Sequence, residues 1–320
     1  RDYPIDEAQT VIVRYATDKP CGLLDAGEVL ASGSFVTPVD TDTPVEPIEP
    51  TCKYSGRLLH VTAGKLAYTF DCTSGVLTEI RKNGKPFCGA FPLTVWRAPT
   101  DNDRNVRRNW EENYLQYVVN TARSVTVEDG KVVVNGILAS QRFTPAVRYT
   151  LTYTFFAEGF GAAIDYTVHD RIKFLPRIGF AVKLPQAYDK VTFYGYGPQE
   201  SYIDKRQAAA LDVYSYRVGD MEAYIKPQET GSRYGVRFVE ISAGRSALRA
   251  EGDFSFSALP YSAETLTHTA HADELPASDG TYVYVDYYQS GIGSNSCGPE
   301  LAEEFRTPRS AKKEIKIFVL

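Results

Sequence analysis

An all-β fold class follows from three features of the sequence. Aromatic residues are abundant, with 22 Tyr and 16 Phe among 320 residues, and aromatic side chains favour the half-buried, pleated surface of a sheet. Apolar and polar residues alternate, most clearly through Val147-Arg-Tyr-Thr-Leu-Thr-Tyr-Thr-Phe-Phe156, with the period of two that a strand with one buried face imposes. Asn83-Gly84 and Asp129-Gly130 lie between such runs, and both are two-residue hairpin signals because the central positions of the turn need positive φ. So many short strands joined by antiparallel turns predict a large two-sheet sandwich.

Taken in order, residues 9–38 hold two strand-like runs, around Val11-Ile-Val-Arg-Tyr15 and Ser32-Gly-Ser-Phe-Val36. Two or three strands make no independent sandwich, so residues 1–38 are expected to close a preceding domain. Residues 37–50 carry four Pro and four acidic side chains, a composition that disfavours helix and packs poorly; residues 39–50 are expected to be an extended linker. From 51 to 320 the pattern is almost unbroken β, with runs at 76–80, 125–127, 132–134, 147–156, 162–168, 178–183, 191–194, 213–216, 236–241, 282–287 and 314–319. One exception is the helical spacing of Val106, Trp110, Tyr114 and Tyr117, which predicts a short helix. The chain opens Arg1-Asp2-Tyr3-Pro4 without Met or a signal-peptide pattern; it is expected to be a piece of a longer protein, and its compartment is not readable here.

The net charge of −5 offers no basic footprint for nucleic acid or an acidic membrane surface. No apolar run reaches the ~20 residues of a membrane helix. The five Cys are scattered and odd in number, which predicts isolated buried thiols rather than a disulfide framework. For glycoside hydrolysis with retention, two carboxyl groups about 5–5.5 Å apart are needed. Asp101 and Asp103 are the tempting pair, since residues two apart on an extended segment share a face about 6.6 Å apart. Pro99-Thr-Asp-Asn-Asp103 is also a strong turn-and-cap sequence, and this structural reading outweighs the catalytic one. Asp101, Asp103, Asn105 and Glu112 mimic a calcium loop, but Val106 stands where the sharp turn requires Gly. His268 and His271 lack a convincing third metal ligand. No metal site, cofactor fingerprint or nucleophile motif is expected.

Whole motifs carry a resemblance. Trp96-Arg-Ala-Pro-Thr-Asp-Asn-Asp103 resembles the signature that opens the final, "small chain" domain (domain 5) of family 2 β-galactosidases. Tyr194-Gly-Tyr-Gly-Pro-Gln-Glu-Ser-Tyr202 with Asp204 and Arg206 resembles the family's Gly-x-Gly-Pro-x-Glu-x-Tyr stretch. Tyr224-Ile-Lys-Pro-Gln-Glu229 with Gly231 and Arg233 resembles its Tyr-x-x-Pro-x-Glu-x-Gly-x-Arg segment. Ser290-Gly-Ile-Gly-Ser-Asn-Ser-Cys-Gly-Pro299 resembles the loop before its last strand. Residues 9–38 look like the end of the preceding immunoglobulin-like domain.

The resemblance implies a galactose mutarotase-like β-supersandwich over 51–320. It also implies a catalytic (β/α)₈ barrel upstream in the same polypeptide that holds both glutamates, so that the isolated chain is inactive. The domain would help to close the pocket for a terminal β-galactoside and help subunits associate into a homo-oligomer. The loop residues Ser294, Asn295 and Cys297 would then lie near substrate, and Trp96, Arg97, Asp101, Asn102, Asp103, Gln199, Glu200 and Glu229 would be structural. The best-studied bacterial member has a sugar-stacking Trp where Cys297 aligns, and Cys offers no aromatic face. Two rivals remain: an autonomous carbohydrate-binding module, and a mutarotase-like enzyme in which His169 or His268 meets a carboxylate in the concavity.

Overall fold

The computed structural model describes residues 10–36, 44–140, 144–220, 222 and 224–320. Strand follows strand because turn residues recur at short intervals. Asn83 (φ 51°) and Gly84 (φ 77°) join Val76–Lys82 to Lys85–Cys88, and Asp129 (φ 48°) and Gly130 (φ 72°) join Val119–Glu128 to Lys131–Ala139. Both turns have the double positive φ that the two-residue hairpin requires.

In chain order the strands are β1 (Thr10–Ala16), β2 (Val29–Val36), β3 (Thr51–Ser55), β4 (Leu58–Ala63), β5 (Leu66–Asp71), β6 (Val76–Lys82), β7 (Lys85–Cys88) and β8 (Leu93–Thr94). They continue with β9 (Val119–Glu128), β10 (Lys131–Ala139), β11 (Val147–Phe156), β12 (Gly159–Val168), β13 (Arg177–Leu184) and β14 (Lys190–Gly197). The last are β15 (Ala210–Arg217), β16 (Arg233–Ala243), β17 (Ser246–Leu259), β18 (Thr281–Gln289) and β19 (Ser310–Val319). Strands β3 to β7 form a five-stranded meander, and a twelve-stranded sheet runs β15-β14-β16-β17-β19-β12-β11-β10-β9. This sheet forks at β17. Leu248–Gly252 pairs with β19, whereas Ser255–Leu259 pairs with β18, which leads to β13 and β8.

The two sheets meet through aromatic rings. Tyr68 of β5 packs on Phe155 and Phe160 at centroid distances of 5.0 and 5.8 Å, Phe70 lies 4.9 Å from Tyr153, and the Tyr68 hydroxyl donates to Gly159 O at 3.0 Å. Such pairs add to what area burial alone contributes. The alternation of β10 and β11 reads directly as burial, with Val132, Val134, Leu138, Val147, Leu151 and Tyr153 inside.

Helix α1 (Arg104–Glu112) buries Val106 and Trp110, but Tyr114 adopts a left-handed backbone (φ 54°) and Tyr117 falls in a separate 3₁₀ turn, both partly exposed. The helical spacing therefore overran the helix by one turn. A second helix, α2 (Ala263–His268), was not expected. Ser262 caps it by accepting from Thr265 N at 3.0 Å. No helix among the described residues is long and apolar enough to cross a membrane.

Strands β1 and β2 pair only with each other and run beside β15. Tyr15, Leu30 and Phe35 are 60–67% exposed. Of the stretch expected to be a linker, residues 39–43 lie outside the described residues, as do residues 1–9 and 37–38 of the expected end of a preceding domain. Within 44–50 the chain has no regular structure, yet Ile48 N donates to Phe155 O at 2.9 Å and its side chain packs on the core, so this half is anchored.

Candidate functional site: a polar cleft at one end of the sandwich

Strands β8, β14 and β18 end, and β13 and β16 begin, at the same end of the molecule. Chain direction alone therefore brings together the segments that follow Thr94, Gly197 and Gln289 and precede Arg177 and Arg233. Five stretches separated by up to two hundred residues meet there, and four of them line a cleft.

Arg97 is the central tie. Fully buried, it donates from Nη2 to Asp103 Oδ1 at 2.7 Å and to Gly291 O at 3.0 Å, and from Nη1 to Ser290 O, with its guanidinium over the Trp110 ring. A planar fork can serve three acceptors at once. The second oxygen of Asp103 accepts from Thr100 N at 2.9 Å and Thr100 Oγ1 at 3.1 Å, closing the turn into α1. Trp96 donates from Nε1 to Thr267 Oγ1 at 3.0 Å. Asp103 thus organises the turn into α1. Asp101 does not: it is exposed and bridges to Lys226 Nζ at 2.9 Å. The two aspartates face different partners and share no site.

Asn102 grips the last loop from below. It donates to Gly293 O at 2.7 Å and accepts from Ser296 Oγ at 2.8 Å, while Asn105 Nδ2 donates to Asn295 O at 3.0 Å. Within that loop Ser294 O accepts from Gly298 N at 2.7 Å, and Cys297 is an exposed free thiol. Glu112 pairs with Arg108 at 2.9 Å. Each member of the calcium-like set therefore has a protein partner, and the described residues hold no group of three His, Cys, Asp or Glu suited to a metal.

A cleft of about 170 Å³ opens between these segments, lined among others by Asp101, Asn102, Glu200, Tyr202, Lys205 and Ile292. Glu200 accepts from Lys205 Nζ at 2.7 Å, from Gly231 N at 3.0 Å and from the Tyr224 hydroxyl. Burial pushes its carboxyl up, but the bonds from Lys205 and Tyr224 outweigh burial and hold it below its ordinary value. Gln199 beside it is exposed.

Glu229 is fully buried between Arg177 Nη2 and Gln289 Nε2, each at 2.8 Å. Burial raises its pKa against the opposing pull of Arg177 and Arg97. Behind it Asp286 lies 3.6 Å from Arg177 Nε, a charge contact that is too long for a hydrogen bond and leaves both carboxylate oxygens without a donor. Burial pushes Asp286 up to about 7 despite Arg177. With Glu200 held by five donors, Tyr202 and Thr230 hydroxyls among them, and Glu229 clamped by two, this chemistry suits fixing backbone and orienting loops.

Sequence reasoning missed Arg177, Asp286, Gln289 and Lys205. Asp286 did leave a signal: a lone carboxylate inside Thr281-Tyr-Val-Tyr-Val-Asp-Tyr-Tyr-Gln289, a strand otherwise fit for burial on both faces. The histidines lie elsewhere. His60 is on β4, His169 follows β12, and His268 and His271 flank the end of α2. Neither this cleft nor the larger groove of about 360 Å³ over β9 to β12, with Arg123, Asn135, Arg148 and Asp165 in its lining, includes a histidine.

A forked antiparallel sandwich with a polar loop cluster at one end defines a large all-β domain. The chain belongs to the family described as β-galactosidase small chain, whose model matches residues 62–317. It is 35% identical over 260 residues to a β-galactosidase of Staphylococcus xylosus, covering 78% of this chain and 26% of that protein. It is 33% identical over 262 residues to one of Actinobacillus pleuropneumoniae, covering 80% and 26%. The chain thus spans about a quarter of the length of these curated relatives. A galactose mutarotase-like protein from Lactobacillus casei aligns with 82% of the chain and all of its own, at 10% identity and a TM-score of 0.45.

Proposed function

We propose that this chain is the C-terminal, non-catalytic part of a β-galactosidase-like glycoside hydrolase. In this reading residues 51–320 form the domain that covers one side of the sugar pocket, residues 1–38 finish the preceding domain, and an upstream barrel in the same polypeptide supplies acid and nucleophile. The observation that carries it is the convergence of four distant segments on one polar cleft, which fixes the loop 290–298 from two sides. Its carboxylates are committed to protein partners: Asp101 to Lys226, Glu200 to Lys205 and Glu229 to Arg177. A carboxylate so engaged is a poor acid and a poor nucleophile.

The exposed apolar face of β1 and β2 is, in the same reading, a surface that the rest of the longer protein or a second subunit covers. The test is release of nitrophenol from an aryl β-galactoside. The isolated chain should release none, whereas the full-length enzyme should do so and should lose affinity when residues 294–297 are shortened. Turnover by the purified chain that disappears in Asp101→Asn would overturn this assignment. Tight sugar binding by the isolated chain would instead favour an autonomous binding module.

A further inference from the structure

We infer that Asp204 is a positioning residue for the reaction, which acts by holding the loop 290–298 through its backbone alone; the inference rests on the reading that this loop faces substrate. Asp204 sits at the tip of a tight turn that closes when Tyr202 N donates to Lys205 O at 2.9 Å and Lys205 N returns to Tyr202 O at 3.0 Å. From there its Oδ1 accepts from Ile292 N at 3.0 Å and its Oδ2 from Gly293 N at 2.7 Å. Two successive amides converging on one carboxylate form an anion-binding concavity, here filled from within the chain.

The loop sequence is shaped to receive it. A Cβ on Gly291 would lie 2.5 Å from Asp204 Cγ, and Gly293 takes φ +68°, a conformation that L side chains rarely adopt. Arg97 holds the carbonyls of Ser290 and Gly291, Asp204 the amides of Ile292 and Gly293, and Asn102 the carbonyl of Gly293. From 290 to 293 every one of these anchors is a main-chain group. The stem is therefore held whatever side chains the tip carries, and the exposed Cys297 is displayed on a rigid base whose fixation does not involve its own side chain. Among the three anchors Asp204 alone accepts from the main-chain amides of the stem, while Asn102 takes its loop hydrogen bond from the Ser296 hydroxyl, so neither of the others fills its place.

The experiment follows amide exchange in the segment 288–298 of the full-length enzyme, together with kcat and KM for an aryl β-galactoside. In Asp204→Ala, exchange at Ile292 and Gly293 should rise about tenfold to a hundredfold, the range carried by hydrogen bonds to a charged acceptor. KM should rise in step, with kcat changing less. Asp204→Asn keeps one oxygen acceptor and should fall between the two. Gly291→Ala, which pushes on the carboxylate without removing it, should give the same pattern and serves if Asp204→Ala fails to fold. Unchanged exchange in both Asp204→Asn and Gly291→Ala would overturn the clamp. Faster exchange with KM unmoved would overturn the positioning role and the substrate-facing reading of the loop with it, leaving Asp204 a structural clamp.

Discussion

Replacing Asp286 by Asn should stabilise the domain above pH 7 and change it little near pH 4. The carboxyl is fully buried, neither oxygen has a donor, and Arg177 Nε stays 3.6 Å away. Burial, opposed by Arg177, pushes its pKa from 3.8 up to about 7. An acid whose folded pKa lies above its unfolded value binds its proton more tightly in the native state, so stability falls as pH rises from about 4 to about 7 and is flat above. At about 1.4 kcal/mol per pH unit, the rise corresponds to about 4 kcal/mol lost at pH 8, a ceiling that the neutral amide removes. Asn matches the shape beside Gly179, where even a Cβ would come within 2.6 Å of Asp286 Oδ1. Arg177 keeps Glu229 as its partner at 2.8 Å. Urea unfolding of both proteins at pH 4.5, 6, 7 and 8 reads the difference directly. A variant that is less stable than the parent at pH 8, or one whose deficit grows with pH, would refute the reasoning, because the ionised carboxylate would then be a paired and stabilising group.

Three further outcomes follow from the same contacts. Arg97→Ala should cost about 3–5 kcal/mol in urea unfolding, since it leaves Asp103 buried without its cation; Arg97→Lys should recover only a minor part, as one ammonium cannot serve three acceptors in a fork. Gly136→Ala should cost about 1–3 kcal/mol by the same measurement, because the new methyl would overlap the Tyr149 ring that lies across the glycine. Tyr68→Phe should lower stability by about 1–3 kcal/mol, since Gly159 O loses its buried hydroxyl donor between the two sheets.

Much of the fold was legible because its determinants are local. Asn83-Gly84 and Asp129-Gly130 specify their turns by backbone sterics that no distant residue alters, and the alternation of residues 147–156 is set by the pleat itself. Where a distant partner decides, the local signal misleads. The apolar spacing continued to Tyr117, but a left-handed residue at Tyr114 ended the helix early. Asp101 looked like part of the same cap as Asp103, yet Lys226, 125 residues away in the chain, drew it out.

The sequence by itself determined the β class, the two hairpins and the buried face of alternating strands such as β10 and β11, and its motifs marked the segments at 96–103, 194–206, 224–233 and 290–299. Only the tertiary structure decided what those segments do together. Arg177 carries no local meaning, and the lone Asp286 in its apolar strand signals only a misplaced charge, since its environment is set once both faces of that strand are covered. The partners of Arg97 at Ser290 and Gly291 stand 193 and 194 residues away in the chain. The pleat and the turn act within a few residues, whereas desolvation and charge pairing are properties of the assembled end of the sandwich, where strands with no neighbouring sequence happen to stop together.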